Sequence, residues 1–317
     1  METLDHGKDE PPPDSADENN VPDRGRLVTG LACASCALVF IGLLQERDPD
    51  SWHTLSQYGY LPAIEIWGGK YWALLSSVFV HRALLHFAFN VYWLWVLGGA
   101  LEREIGPLRM LAFFTASAIV SSGVEFAVSG STGIGASGVG YSIFGFMWIA
   151  RTRVDAYRKA VPTQVVVLFL GWAVLCIAAT LLKTMNVGNA AHVSGLLFGA
   201  GIATAFVVRK RVTLTFVGLS CLILIAVVPL FWSPWSAGWA GRQGYDAHAR
   251  HDYVKAISWY QRSIDLGGDP VWALQNMALA YISMGEQMKF DDALEKLRQR
   301  DPKAAEKVEQ TVREKKP

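Results

Sequence analysis

The sequence predicts an all-α fold: a polytopic membrane helix bundle with a small soluble helical-repeat domain at its C-terminal end. Three observations predict it. Of the 317 residues, 51% are hydrophobic and 12% aromatic, more apolar material than a soluble core of this size needs. Charged residues stand at 18%, below the roughly 25% usual for soluble domains, and they crowd toward the two ends. Between those ends, apolar runs close to the ~20 residues that cross a bilayer follow one another. Lys+Arg 29 against Asp+Glu 28 leaves no global field for a phosphate backbone. A nucleic-acid partner is thereby excluded along with a single soluble globule.

Residues 1–26 are polar, acidic and proline-rich, with too little apolar surface to offset the entropy of ordering, so a disordered tail is predicted. No apolar stretch lies near Met1, so this tail is not a cleavable signal. The membrane domain is placed at 27–232. Its seven predicted spans are Leu27–Leu44, Leu84–Leu101, Leu108–Val128, Ser137–Ala150, Val165–Leu182, Ala190–Val208 and Val212–Trp232. The fourth is short but uncharged, and such a helix can begin inside protein. The segment from Gln45 to Val80 is too polar to span, yet it carries Trp52, Tyr58, Tyr60, Trp67, Tyr71 and Trp72. Trp and Tyr suit the membrane–water boundary, so this loop is expected to be interfacial. Cys33, Cys36, Cys176 and Cys221 all sit in apolar stretches, so neither disulfides nor a metal or redox role for Cys33-x-x-Cys36 is expected.

Basic residues set the orientation. Arg103 and Arg109 follow the second span, Arg151, Arg153, Arg158 and Lys159 the fourth, and Arg209, Lys210 and Arg211 the sixth. Positive loops stay cytoplasmic, which predicts a cytoplasmic N-terminus and odd-numbered spans running outward in a cell (inner) membrane. An outward seventh span puts the C-terminal domain outside the cytoplasm. Trp232, Trp235 and Trp239 are expected to mark its interface. Within 241–317, Tyr253, Ala256, Tyr260 and Pro270, then Ala273, Met277, Ala278, Tyr281, Gly285 and Ala293, resemble tetratricopeptide repeats with a period near ~34 residues. Such a domain would bind a protein partner and perform no chemistry.

Ionisable residues at membrane depth are costly and mark function. His81 and His86 open the second span, Glu125 ends the third, and His192 opens the sixth. The second, fourth and sixth spans all enter from the outside, so His86, Asn90, Ser137 and His192 are expected in one layer. Ser137 lies in Gly135-Ala136-Ser137-Gly138, where the glycines leave its hydroxyl unshielded. Serine becomes a nucleophile when a neighbouring base takes its proton, and His192 is that base. The stripe His192, Gly195, Gly199 matches Ser137, Tyr141, Gly145 on the fourth span, so two helices can pack closely and bring hydroxyl to imidazole. Tyr141 can orient the ring. His86 and Asn90, one turn apart, supply hydrogen-bond donors for an oxyanion, with the Ser137 N–H as a third. Five-residue spacing puts His81 and His86 on different helix faces, and with no carboxylate or cysteine beside them no metal is expected. No cofactor is expected either. Glu125 reads equally as a loop anchor or a substrate contact.

These residues also carry a resemblance. The run Trp72-Ala-Leu-Leu-Ser-Ser-Val-Phe-Val-His81-Arg-Ala-Leu-Leu-His86-Phe-Ala-Phe-Asn90, continued by Gly98-Gly99-Ala100-Leu101-Glu102-Arg103, resembles the rhomboid intramembrane serine proteases. So do Gly135-Ala-Ser137-Gly138 with Tyr141, and Ala191-His192-Val-Ser-Gly195 with Gly199. The resemblance implies a six-helix rhomboid-like core, a Ser137–His192 dyad, oxyanion donors on His86 and Asn90, and cleavage of membrane-spanning substrate helices near the outer face. Its expected partners are single-span membrane proteins and the lipid bilayer. Ala73 departs from the Arg that many members carry after the Trp. The alternative is a catalytically inactive rhomboid-like protein that binds membrane clients. A transporter is disfavoured, because no internal repeat of spans is seen.

Overall fold

The computed structural model describes residues 25–207 and 212–315, and every regular element among them is helical. The disordered tail expected over 1–26 lies outside the described residues apart from Gly25 and Arg26. Val208, the basic cluster Arg209-Lys210-Arg211 and the last two residues of the 241–317 domain lie outside them as well.

Helix α1 (Leu27–Leu44) leads into a loop with three short helices, α2 (Trp52–Gln57), α3 (Ala63–Trp67) and α4 (Ala73–Ser76), closed by a 3-10 turn at Ser77–Phe79. The next rod joins α5 (Leu84–Trp93), a π-helical turn at Leu94–Gly98, and α6 (Gly99–Ile105). Then come α7 (Pro107–Ser129), α8 (Ser137–Ala150), the short α9 (Asp155–Ala160), α10 (Thr163–Leu181), α11 (Asn189–Val207) and α12 (Val212–Phe231). Helices α13 (Ala237–Ala249), α14 (Tyr253–Asp265), α15 (Pro270–Ser283), α16 (Gln287–Arg300) and α17 (Pro302–Lys315) form the tail. Among the described residues six helical rods are long and apolar enough to cross a membrane, and α8 is a shorter apolar helix of 14 residues. The chain is a multi-pass membrane protein.

The second span runs to Ile105 rather than ending at Leu101. Glu102, the charged residue just beyond Leu101, is fully buried. Its carboxylate accepts the backbone N–H groups of Val28 and Thr29, at 2.9 and 2.8 Å, and the Thr29 hydroxyl at 2.7 Å. A helix start leaves N–H groups without partners, and its dipole favours a negative charge there. Glu102 therefore caps α1 from a neighbouring rod. Proline sets two other starts. Pro107 occupies the first turn of α7 behind Gly106, and Pro162 precedes Thr163 of α10.

At the centre, α8 presses against α11. A methyl group added to Gly195 would sit 2.2 Å from the Gly138 carbonyl oxygen, and one on Gly199 1.8 Å from that of Ser142. From the other side, a methyl on Gly145 would sit 2.5 Å from the Leu196 oxygen. The two backbones are in contact, which only glycine permits. On α8 the row beneath these glycines is Gly138, Ser142 and Gly145, one residue on from the expected Ser137 and Tyr141. Helix α12 joins through Gly123 of α7, where an added methyl would meet the Ala226 oxygen at 2.7 Å.

The tail is a run of helices crossing at small residues. Ala256, Ala273 and Ala278 are fully buried, and Gly244 lies under the Tyr260 ring. Trp239 does not serve as an interfacial anchor; it is buried edge-on against Trp259, with centroids 5.5 Å apart. Helix α13 begins at Ala237, capped by Ser236, so the expected boundary at 241 falls inside it. It also touches the loop: Arg242 Nη1 donates to the Ile64 carbonyl at 3.1 Å, and Gly238 lies under the Trp67 ring.

Replacing Glu102 by Ala would leave three buried donors without an acceptor. Each unsatisfied group costs ~1–3 kcal/mol, so a loss of about 3 kcal/mol or more is expected, read as a fall in the thermal midpoint in detergent. Glu102→Gln, which keeps one of the two acceptor oxygens, should lose less.

Candidate active site

The central contact of α8 with α11 brings Ser137 to His192. Ser137 is the first residue of α8, and His192 lies in the first turn of α11, so parallel helix starts place both side chains at one level. The Ser137 hydroxyl and His192 Nε2 are 2.8 Å apart, within hydrogen-bond reach. His192 is buried at 6% exposure, and its Nδ1 has no protein partner among the described residues. Among the described residues the constellation is a pair. Tyr141, one turn along from Ser137, stacks on the imidazole with centroids 4.7 Å apart and planes 29° from parallel. Its hydroxyl donates to the Phe169 carbonyl of α10 at 2.9 Å, which fixes the ring that the imidazole rests on.

The glycines around Ser137 have separate duties. Gly135 has φ +94°, a left-handed conformation that favours glycine, and a methyl there would sit 2.6 Å from Cε1 of His86. Gly138 lets α7 approach, because a methyl would meet the Ser121 hydroxyl at 2.6 Å. The His86 imidazole thus lies flush against the chain just ahead of Ser137. Asn90 is buried, and its Nδ2 donates along its own helix to the His86 carbonyl at 2.9 Å. The structure brings Ser137, His192, Tyr141 and His86 to one place; the described Asn90 bond points along α5.

His81 departs from its expected position. It precedes α5 instead of sitting on it, so helical spacing does not separate it from His86, and their ring centroids are 5.1 Å apart. It is fully buried, with Nδ1 3.1 Å from the Phe79 carbonyl and Nε2 accepting the Ala136 N–H at 3.4 Å. That pattern is filled by a neutral ring protonated on Nδ1. His81 pins the backbone one residue before Ser137. A backbone bond from Gly135 N–H to the Ser77 carbonyl, 3.2 Å, adds a second pin from the same loop.

Glu125 also finds its place. Its Oε2 accepts the Ala191 N–H at 3.0 Å, so this carboxylate caps α11 next to His192. It is a structural anchor. The signal for it was in the sequence, since α11 has no acidic residue in its own first turn and the acceptor had to come from elsewhere.

Residues 68–211 match the family model described as the Rhomboid domain. Across 196 residues the chain is 30% identical to a protein named Rhomboid protease GlpG from Enterobacter sp. (strain 638), covering 60% of this chain and 67% of that one. The chain belongs to the rhomboid family. A second relative of the same name, from Yersinia pseudotuberculosis serotype I (strain IP32953), is 33% identical over 128 residues, 40% of this chain and 45% of its own. A third, from Salmonella choleraesuis (strain SC-B67), is 30% identical over 195 residues, 60% of this chain and 67% of its own. This rhomboid is accordingly an intramembrane serine protease. The Rhomboid-domain match ends at residue 211, so the seventh span and helices α13–α17 lie outside it, as do α1–α3.

Gly195→Val should separate α8 from α11, because even a methyl collides with backbone there. A displacement of about 1 Å can cost ~10²-fold in rate, so cleavage should fall at least that far while membrane insertion is retained. Activity on a model transmembrane substrate checks the first, and carbonate-resistant membrane association the second.

Proposed function

We propose that Ser137 is the nucleophile and His192 the general base of an endopeptidase that cuts membrane-spanning helices. The 2.8 Å contact between hydroxyl and Nε2 carries this reading. His192 takes the Ser137 proton as Oγ attacks the scissile carbonyl, and the carbonyl becomes a tetrahedral oxyanion. The Ser137 N–H, free at the start of α8, together with His86 and the second N–H of the Asn90 amide, receives that charge. Collapse breaks the C–N bond, and His192 returns its proton to the leaving amine. Water, deprotonated by the same imidazole, then hydrolyses the Ser137 ester.

The short α8 explains how water reaches a membrane site. Fourteen residues rise ~21 Å, against a hydrocarbon core of ~30 Å. Arg151 follows its C-terminal end directly and needs a polar environment, so the end that stops short is Ser137. The dyad then sits below the opposite face, in a dip floored by protein. By the distribution of Arg and Lys that face is the outer one, with the N-terminus of the chain cytoplasmic and the membrane the cell (inner) membrane. The tail follows α12 on the dyad's side and is read as a tetratricopeptide-like module over 241–317 that holds a client's extramembrane part. An inactive client-binding protein is the weaker reading, since nothing in such a role would demand a hydroxyl set on an imidazole.

Ser137→Ala should abolish proteolysis with the protein still inserted, and His192→Ala should do nearly the same, a loss on the order of 10⁶ where the unit acts together. His86→Ala and Asn90→Ala should each cost roughly 10²–10³ if each supplies one oxyanion donor. Robust cleavage by Ser137→Ala would remove the assignment.

A helical peptide bond is shielded by its own i→i−4 hydrogen bonds, so the site can act only on a locally extended segment. Single-span substrates with Gly or Pro in the outer half should be cut, and their replacement by Leu should suppress cleavage. Equal cleavage of an all-Leu helix, followed by mass spectrometry of the products, would contradict this.

A further inference from the structure

The tail makes a contact that client capture does not call for. Arg242, on the first tail helix, reaches back to the loop between the first two spans and donates to the Ile64 carbonyl at 3.1 Å. Asp246, one turn along α13, holds the guanidinium through two bonds, to Nε at 3.0 Å and Nη2 at 2.9 Å. A guanidinium fixed on one edge presents its remaining N–H groups in a set direction. Beside it, Gly238 lets the Trp67 ring lie against α13, where an added methyl would approach the ring to 2.8 Å. Bond and ring together seat α13 on α3.

Helix α3 is the junction of the outer half of the molecule. Trp67 donates its indole N–H to the Pro229 carbonyl of α12 at 2.9 Å and packs on Phe126 of α7, centroids 4.8 Å apart. Phe126 is the neighbour of Glu125, whose carboxylate caps α11 at Ala191. In the other direction, Ile66 of α3 shares one buried cluster with Ala73 and Leu74 of α4. The turn after α4 supplies Ser77, which accepts from Gly135, and then His81, which accepts from Ala136. Both sides of the Ser137–His192 pair therefore rest on elements that meet α3.

We infer that α13 is a brace for the interfacial loop, and that Arg242 is a positioning residue for the reaction: it holds α3 so that the Gly135–Ala136 backbone and the α11 cap keep Ser137 and His192 in register. Ala73 fits this reading. It is fully buried against α3 and offers no polar side chain to tie the loop down, so a tie from outside the matched domain takes that place. The inference rests on the Ser137–His192 assignment above, and the tail becomes part of the catalytic domain's rigidity in addition to any client it holds.

The test uses the full chain in detergent, with a fluorophosphonate that labels the nucleophile and a short single-span model substrate. Wild type should label and Ser137→Ala should not; labelling that survives in Ser137→Ala removes the underlying assignment and with it this inference. Arg242→Met keeps the aliphatic stem and removes the donors. It should slow labelling and lower kcat by about 10-fold with KM within twofold, since misplaced groups cost rate more than binding. Arg242→Lys, which can still donate to Ile64, should recover part of the loss. Gly238→Val, which wedges the Trp67 ring away, should reproduce the Arg242→Met effect and covers the case in which one variant does not fold. Met288→Ala, at an exposed residue of α16, should leave both rates unchanged. Wild-type labelling and kcat in Arg242→Met and Gly238→Val, with the Ser137 requirement intact, would overturn the brace and leave the tail a capture module only.

Discussion

Two helix backbones in direct contact set the geometry on which the rest depends. At Gly195 and Gly199 of α11 a single methyl would penetrate the carbonyls of Gly138 and Ser142. Lipid tails are as apolar as leucine, so there is no hydrophobic gain in bringing membrane helices together; close packing of small residues takes its place. The same contact makes the starts of α8 and α11 coincide, and the starts carry Ser137 and His192. Function here follows from the position of helix ends more than from any side chain's unusual environment.

Helix ends are also where the structure spends its buried charge. Glu102 caps α1 and Glu125 caps α11, each reaching across from a different rod. In water such N–H groups would be solvated at little cost; within a bilayer they require a protein acceptor. A carboxylate from a neighbouring helix satisfies the group and ties two rods at one height. For α11 that height is the height of His192. The loop between the first two spans does the corresponding work for Ser137 through Ser77 and His81.

Much of this was legible in the sequence. Apolar runs mark spans because the bilayer admits few other patterns, and glycine stripes mark close packing because no other residue fits. The layer of His86, Ser137 and His192 followed from counting spans. Four things were not legible. The second span continues past Leu101 to Ile105, because the partners of Glu102 on α1 let a charged residue sit inside the rod. His81 and His86 were separated by a helical spacing that does not apply, since α5 begins only at Leu84. Trp239 looked interfacial by type, but its burial against Trp259 depends on a tail helix packing that no local pattern encodes. The contact of Arg242 with Ile64 joins residues 178 positions apart, and nothing near either one announces it.

On the proposed mechanism one hydroxyl, that of Ser137, activated by one imidazole, that of His192, does the chemistry. Peptide mapping by mass spectrometry after reaction of the full chain with a fluorophosphonate tests it most directly. A single adduct is expected on the peptide bearing Ser137, lost in His192→Ala although Ser137 is still present. An adduct on another residue, or undiminished labelling of Ser137 without His192, would contradict it.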